Sequence, residues 1–210
     1  MFDGWQEAFP GLAVAAVDLQ DGLDPVRASI QDYAQNVIAA ARTLPQPVTL
    51  CGWSMGGLVA LQAVAAVQPD RLVLLEASAP AEVQGFNPSV ELAEGTFDPE
   101  AEYGRFPPGV RARPESLLAR TERKRGISVP SLPCPSLVVY GLDFPEERGR
   151  ALAALYGSHE LEFPHLGHFE LVLDPEVRGE IARLLSPQRV RTIAKPSPHR
   201  AGCGRKERST

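Results

Sequence analysis

Ser54 lies in Cys51-Gly52-Trp53-Ser54-Met55-Gly56-Gly57, after the apolar run Val48 to Cys51 and ahead of a helix-like run from Leu58 to Val67. Strand, sharp turn and helix in that order make a nucleophile elbow, a strained bend that lifts a serine hydroxyl clear of its sheet. Glycines are expected to flank the serine because side chains there would collide with the adjoining strand and helix. A helix that starts beneath the serine turns free N–H groups and the positive end of its dipole toward charge developing on a bound carbonyl oxygen. The chemistry this favours is acyl transfer. A serine hydroxyl is a poor nucleophile near neutral pH, so it needs a base within hydrogen-bond reach and an acid that fixes the tautomer of that base.

Gly52-Trp53-Ser54-Met55-Gly56-Gly57 resembles the elbow of the α/β-hydrolase superfamily, in its carboxylesterase-like branch. The resemblance covers roughly residues 5 to 186 and implies a triad in the chain order serine, acid, histidine. His168, in Leu166-Gly167-His168-Phe169, falls in a loop ahead of the last helix, where the resemblance places the catalytic histidine; His165 is its rival. Asp143, in Tyr140-Gly141-Leu142-Asp143-Phe144, is the expected acid, one residue earlier than in many members, with Glu146, Glu147 or Glu76 as substitutes. The implied triad is Ser54, Asp143 and His168. Met55 would give its main-chain N–H as the first oxyanion donor, and Trp53 would line the pocket mouth or pack.

The implied reaction is hydrolysis of a small carboxylic ester, or of a thioester or amide, through an acyl-enzyme, on a small-molecule substrate and with no organic cofactor. No metal is expected either, because the His165–His168 spacing comes without the carboxylate or thiol cluster of a zinc site. Two other readings stay open. One is a catalytically impaired or non-catalytic protein of the same fold that binds a ligand or partner; the other is lyase or cofactor-free haloperoxidase chemistry on the same scaffold.

Alternating elements must position these residues. A short helix end over residues 3–9 is broken by Pro10-Gly11, and the apolar run Leu12 to Leu19 suits a buried parallel strand. Asp24-Pro25 signals a helix start, and Val26, Ile30, Tyr33, Val37, Ala41 and Leu44 recur at helical spacing until Pro45. Buried strands follow at Leu72 to Leu75 and Leu137 to Tyr140, a helix at Glu146 to Tyr156, a short strand at Glu160 to Phe163, and a last helix capped by Asp174 that packs through Val177, Ile181, Leu184 and Leu185. This rhythm predicts an α/β fold: a mostly parallel sheet with helices on both faces, as one domain over residues 1–186. Residues 81–133 interrupt it with aromatic residues and a charged helix candidate, Pro114 to Arg125, and a connection this long reads as a lid-like insertion.

Members of the superfamily enter the fold through early strands and a loop, often His-Gly rich, that gives the second oxyanion N–H. The chain, starting Phe2-Asp3-Gly4-Trp5, is expected to lack them and to be N-terminally short. Three alternatives stay open: a true start upstream, a Leu12 strand paired directly with the elbow strand, or lost catalysis.

Composition narrows the class further. The chain has 210 residues, 44% apolar and 22% charged, and a net charge of −5, ordinary for one soluble domain. Residues 187–210 hold seven Lys or Arg against one Glu, so a basic disordered tail is expected beyond an acidic body that gives no case for binding nucleic acid. Cys51, Cys134 and Cys203 lie far apart, which fits a reducing cytoplasmic setting. Neither a signal peptide nor a membrane-spanning run is visible. Oligomeric state is left open.

Overall fold

The computed structural model describes residues 2, 4–108, 110 and 112–185. The expected basic tail lies outside the described residues. In chain order the elements are helices α1 (Trp5–Ala8) and α2 (Ile30–Ala41), strand β1 (Thr49–Trp53), helix α3 (Met55–Val67), strand β2 (Arg71–Leu75) and helix α4 (Ala81–Gln84). Within the excursion come β3 (Thr96–Phe97), α5 (Pro99–Tyr103), β4 (Glu115–Ser116) and α6 (Leu117–Arg125). The main sheet resumes with β5 (Ser136–Tyr140), a π-helical stretch Pro145–Arg150, α7 (Ala151–Tyr156), β6 (His159–Glu162), α8 (Glu170–Leu173) and α9 (Pro175–Leu185).

The four-stranded sheet runs β1-β2-β5-β6, parallel throughout, and β3 and β4 form a separate antiparallel pair. Its middle strands are apolar because both faces are covered. Alternate residues point to opposite sides. Leu72, Leu74 and Val138 join a core with α2, α3 and α7, while Val73, Leu75, Leu137 and Val139 join Trp5, Leu171, Val172, Val177 and Ile181 beneath α1, α8 and α9. This is the expected α/β layering. The indole of Trp5 donates to the carbonyl of Val172 at 3.0 Å and ties the chain's start to α8.

Two expectations fail, each for a physical reason. Leu12 to Leu19 forms no strand: Leu12 is 61% exposed and Val14 and Val17 more than a third exposed. An apolar run becomes a strand only where a ladder partner accepts it, and within the described sheet β1 pairs with β2 alone, so direct pairing of the Leu12 segment with the elbow strand does not occur. Asn36 of α2 holds the end of the run instead, donating to the carbonyls of Leu19 at 3.0 Å and Asp21 at 2.9 Å. The second failure is the Asp24-Pro25 helix start. Asp24 shapes a turn, accepting the N–H of Val26 at 3.0 Å, and α2 begins at Ile30 with a reciprocal Ser29/Asp32 capping box.

That box satisfies two of the donors a helix start leaves free. Ser29→Ala is expected to cost about 1 kcal/mol in a denaturant melt. Hydrogen bonds from the Ser29 hydroxyl and then its main-chain N–H hold the Asp32 carboxyl below the ordinary carboxylate range. Its contribution is therefore present above the ordinary carboxylate pKa and is lost as pH falls through the lowered folded value.

Among the described residues no helix is long and apolar enough to cross a membrane.

Candidate active site

Ser54 sits between β1 and α3 at φ 53°, ψ −126°, a backbone conformation that costs a non-glycine residue about 1–3 kcal/mol and persists only when its surroundings enforce it. Three hydrogen bonds do so. Its N–H donates to the Leu75 carbonyl at 3.1 Å, and its own carbonyl accepts from Ser78 at 2.8 Å and Gly57 at 3.0 Å. A Cβ on Gly52 would lie 2.6 Å from both the Gly56 oxygen and the Gly57 Cα, and one on Gly57 would lie 2.3 Å from the Ala77 Cβ. These two glycines let strand and helix touch backbone to backbone. Gly56, which the sequence motif ranks equally, is not required by contact, because its nearest neighbour would be Leu19 Cδ1 at 4.0 Å.

The hydrogen bonds between Ser54 and both Leu75 and Ser78 straddle Glu76, which leaves the C-terminal end of β2 with φ 40° and is wholly buried. A buried carboxylate needs partners for both oxygens. Here Oε1 accepts the N–H of Gly141 at 3.1 Å, and Oε2 forms a short contact with Nδ1 of His168. With the Nδ1 proton directed at Glu76, Nε2 is left as the accepting nitrogen.

The loop that carries His168 is held at several points. Leu142 N–H donates to the Leu166 carbonyl at 2.8 Å, and Asp143 Oδ2 accepts the main-chain N–H of His168 at 2.7 Å. The indole N–H of Trp53, next to Ser54, donates to the His168 carbonyl at 2.8 Å, and the two rings lie 4.6 Å apart between centroids. Phe144 meets the imidazole edge-on at 5.7 Å, and Phe106 of the excursion reaches Phe169 at 4.9 Å.

The structure sets His168 against Trp53, the neighbour of Ser54, and its imidazole meets Glu76, one of the alternatives to Asp143. The carboxylate on the imidazole is Glu76, while the exposed Asp143 is occupied by the histidine's main chain. The sequence did carry a signal for Glu76, a charged residue directly after the continuously buried run Leu72 to Leu75. His165 is exposed beside Phe163, with ring centroids 6.5 Å apart. Among the described residues no group of three or more His, Cys, Asp or Glu is placed to hold a metal ion. A surface hollow between α2 and α6, lined by Ile30, Gln62, Leu92 and Glu122, shares no residue with the Ser54 cluster.

The sequence matches the Alpha/beta hydrolase family over residues 4–184, and the chain belongs to that family of hydrolases. Among solved structures it is similar to a polyneuridine aldehyde esterase, with 15% identity, a TM-score of 0.60 and coverage of 87% of this chain and 93% of that one. It is also similar to the N-acyl homoserine lactonase AidH, solved with N-butanoyl homoserine, with 19% identity, a TM-score of 0.55 and coverage of 84% and 76%. A third likeness is to the enol-lactonase of Burkholderia xenovorans, with 17% identity, a TM-score of 0.52 and coverage of 76% and 74%. At such identities the likeness shows the fold alone. Among curated proteins none matches the sequence significantly.

Proposed function

We propose that this chain is a serine hydrolase that cleaves a small carboxylic ester, or a thioester or amide, with Ser54 as nucleophile, His168 as base and Glu76 as the acid behind it. The observation that carries the reading is the Glu76–His168 pair beside a serine in strained elbow geometry. The esterase and lactonase chemistry of the fold's relatives lends support.

In the first half-reaction Nε2 of His168 takes the proton as Ser54 attacks the acyl carbon, and the tetrahedral oxyanion faces the N-terminus of α3, where Met55 N–H is one of the donors the helix ladder leaves free. The imidazolium formed is steadied by Glu76 and then protonates the leaving group. In the second half-reaction the same imidazole activates water, which releases the acid. The excursion over residues 81–133 serves as a lid, an assignment supported by the reach of Phe106 to Phe169. A reducing cytoplasmic setting is supported by Cys51 and Cys134, both free.

The test is covalent capture by a fluorophosphonate probe. The chain is expected to label at Ser54, located by peptide mass spectrometry, and Ser54→Ala to lose the label. Undiminished labelling of Ser54→Ala would remove Ser54 from the mechanism. A folded chain that neither labels nor turns over any activated ester would instead be the non-catalytic binding protein.

A further inference from the structure

Arg148, in the π-helical stretch, is unlike the other arginines near it. Arg150 is paired with Glu146 and Glu162, and Arg120, whose Nε is also buried without a partner, is paired with Glu102. Arg148 makes no ion pair or hydrogen bond through its side chain among the described residues, and its Nε is buried without a partner. Its guanidinium lies 3.9 Å from the centroid of the Phe144 ring, the same ring that meets the His168 imidazole edge-on. The ionisable groups that act on it are Arg123 of α6, Glu147, Glu76 and Tyr103 of α5. Burial first, and then the repulsion of Arg123, pull the Arg148 pKa below the ordinary arginine value.

A guanidinium keeps its charge in proteins, so one held half-buried with an unmet donor and no ion pair among the described residues is suited to take an anion. Stacking on Phe144 fixes its plane, which leaves the planar fork oriented before any ligand arrives. We propose that Arg148 binds a carboxylate on the substrate, so that the ester cleaved at Ser54 is one whose far end is acidic. A single negative charge fits better than a phosphate dianion, because Glu147 and Glu76 already act on the guanidinium. This inference rests on the serine-hydrolase reading and goes beyond it to the class of substrate.

The test pairs p-nitrophenyl valerate with the p-nitrophenyl hemiesters of succinate, glutarate and adipate. Wild type is expected to favour at least one hemiester about tenfold in kcat/KM, chiefly through KM. Arg148→Met, which keeps apolar bulk over Phe144, is expected to erase that preference while leaving valerate turnover within about twofold. Absence of any hemiester preference in wild type, survival of the preference in Arg148→Met, or equal loss on both ester types would each overturn the proposal. Binding gives an independent readout. Monomethyl glutarate titrated into Ser54→Ala is expected to change the fluorescence of Trp53 saturably, and this response is expected to vanish when Arg148→Met is added. A chain that turns over no ester and yet shows this Arg148-dependent binding would lose the hydrolase reading and keep the carboxylate site. No saturable response in Ser54→Ala would sink the site even if neutral esters are hydrolysed.

Discussion

Glu76→Gln is expected to lower kcat on an activated ester about 10⁴-fold, while Asp143→Asn stays within about threefold of wild type. The contrast follows from what each carboxylate does. Glu76 meets the ring at Nδ1, where in the proposed mechanism it stabilises the imidazolium, and a glutamine in its place presents a neutral amide able to favour the wrong tautomer. Asp143 meets only the main-chain N–H of His168. An asparagine oxygen accepts that hydrogen bond nearly as well, so removal of charge matters little and removal of the acceptor matters more. Asp143→Ala should therefore fall about tenfold, mainly in kcat, as the loop loosens. Steady-state kinetics on all three variants reads the difference directly. Should Asp143→Asn collapse as far as Glu76→Gln, the roles of the two carboxylates are the reverse of those assigned.

Substitution at the glycines beneath Ser54 is expected to act on the fold itself. Gly57→Val would place Cβ 2.3 Å from the Ala77 Cβ and 2.9 Å from its Cα, both on a rigid segment that also carries Glu76 and Ser78. Gly52→Ala meets backbone atoms of Gly56 and Gly57 at 2.6 Å. Neither clash can be relieved by turning a flexible side chain, so each variant should lose about 3 kcal/mol or more, seen as a drop of about 10 °C in Tm or as failure to recover folded protein. Gly56→Ala provides the comparison. With nothing nearer than Leu19 Cδ1 at 4.0 Å and a place in the first turn of α3, it should melt within about 0.5 kcal/mol of wild type. Equal melting of all three variants by circular dichroism would mean that helix and strand are not in the close contact described.

Local chemistry made part of this molecule legible in its residue order. The elbow could be read because strand, bend and helix are contiguous, and β2 and β5 because a strand covered on both faces is apolar at nearly every position. Leu12 to Leu19 misled for the complementary reason: a run of apolar residues states a preference, and only a neighbouring ladder turns it into a strand. At the start of α2 the Asp24-Pro25 signal gave way to the reciprocal Ser29/Asp32 pair that the structure shows. Glu76 and Asp143 both follow the C-terminal ends of adjacent parallel strands. Which of them reaches the imidazole depends on how the 141–144 and 165–168 loops bond to each other, a long-range register that no local spacing encodes. Arg148 gave no signal at all, since an arginine among Glu146, Glu147 and Arg150 reads as solvated surface until its burial is known.

The hydrogen bonds that join Ser54 to Leu75 and Ser78, one donated and one accepted, place the proposed nucleophile and Glu76 on adjoining rungs of one ladder. To part them, thermal motion would have to tear β1 from β2. His168 hangs from a loop instead, tethered through Trp53 and Asp143. In the proposed mechanism the base is thus carried by loop bonds while nucleophile and acid are locked by the sheet, so a substitution that weakens those tethers should disturb proton transfer before it disturbs the other two.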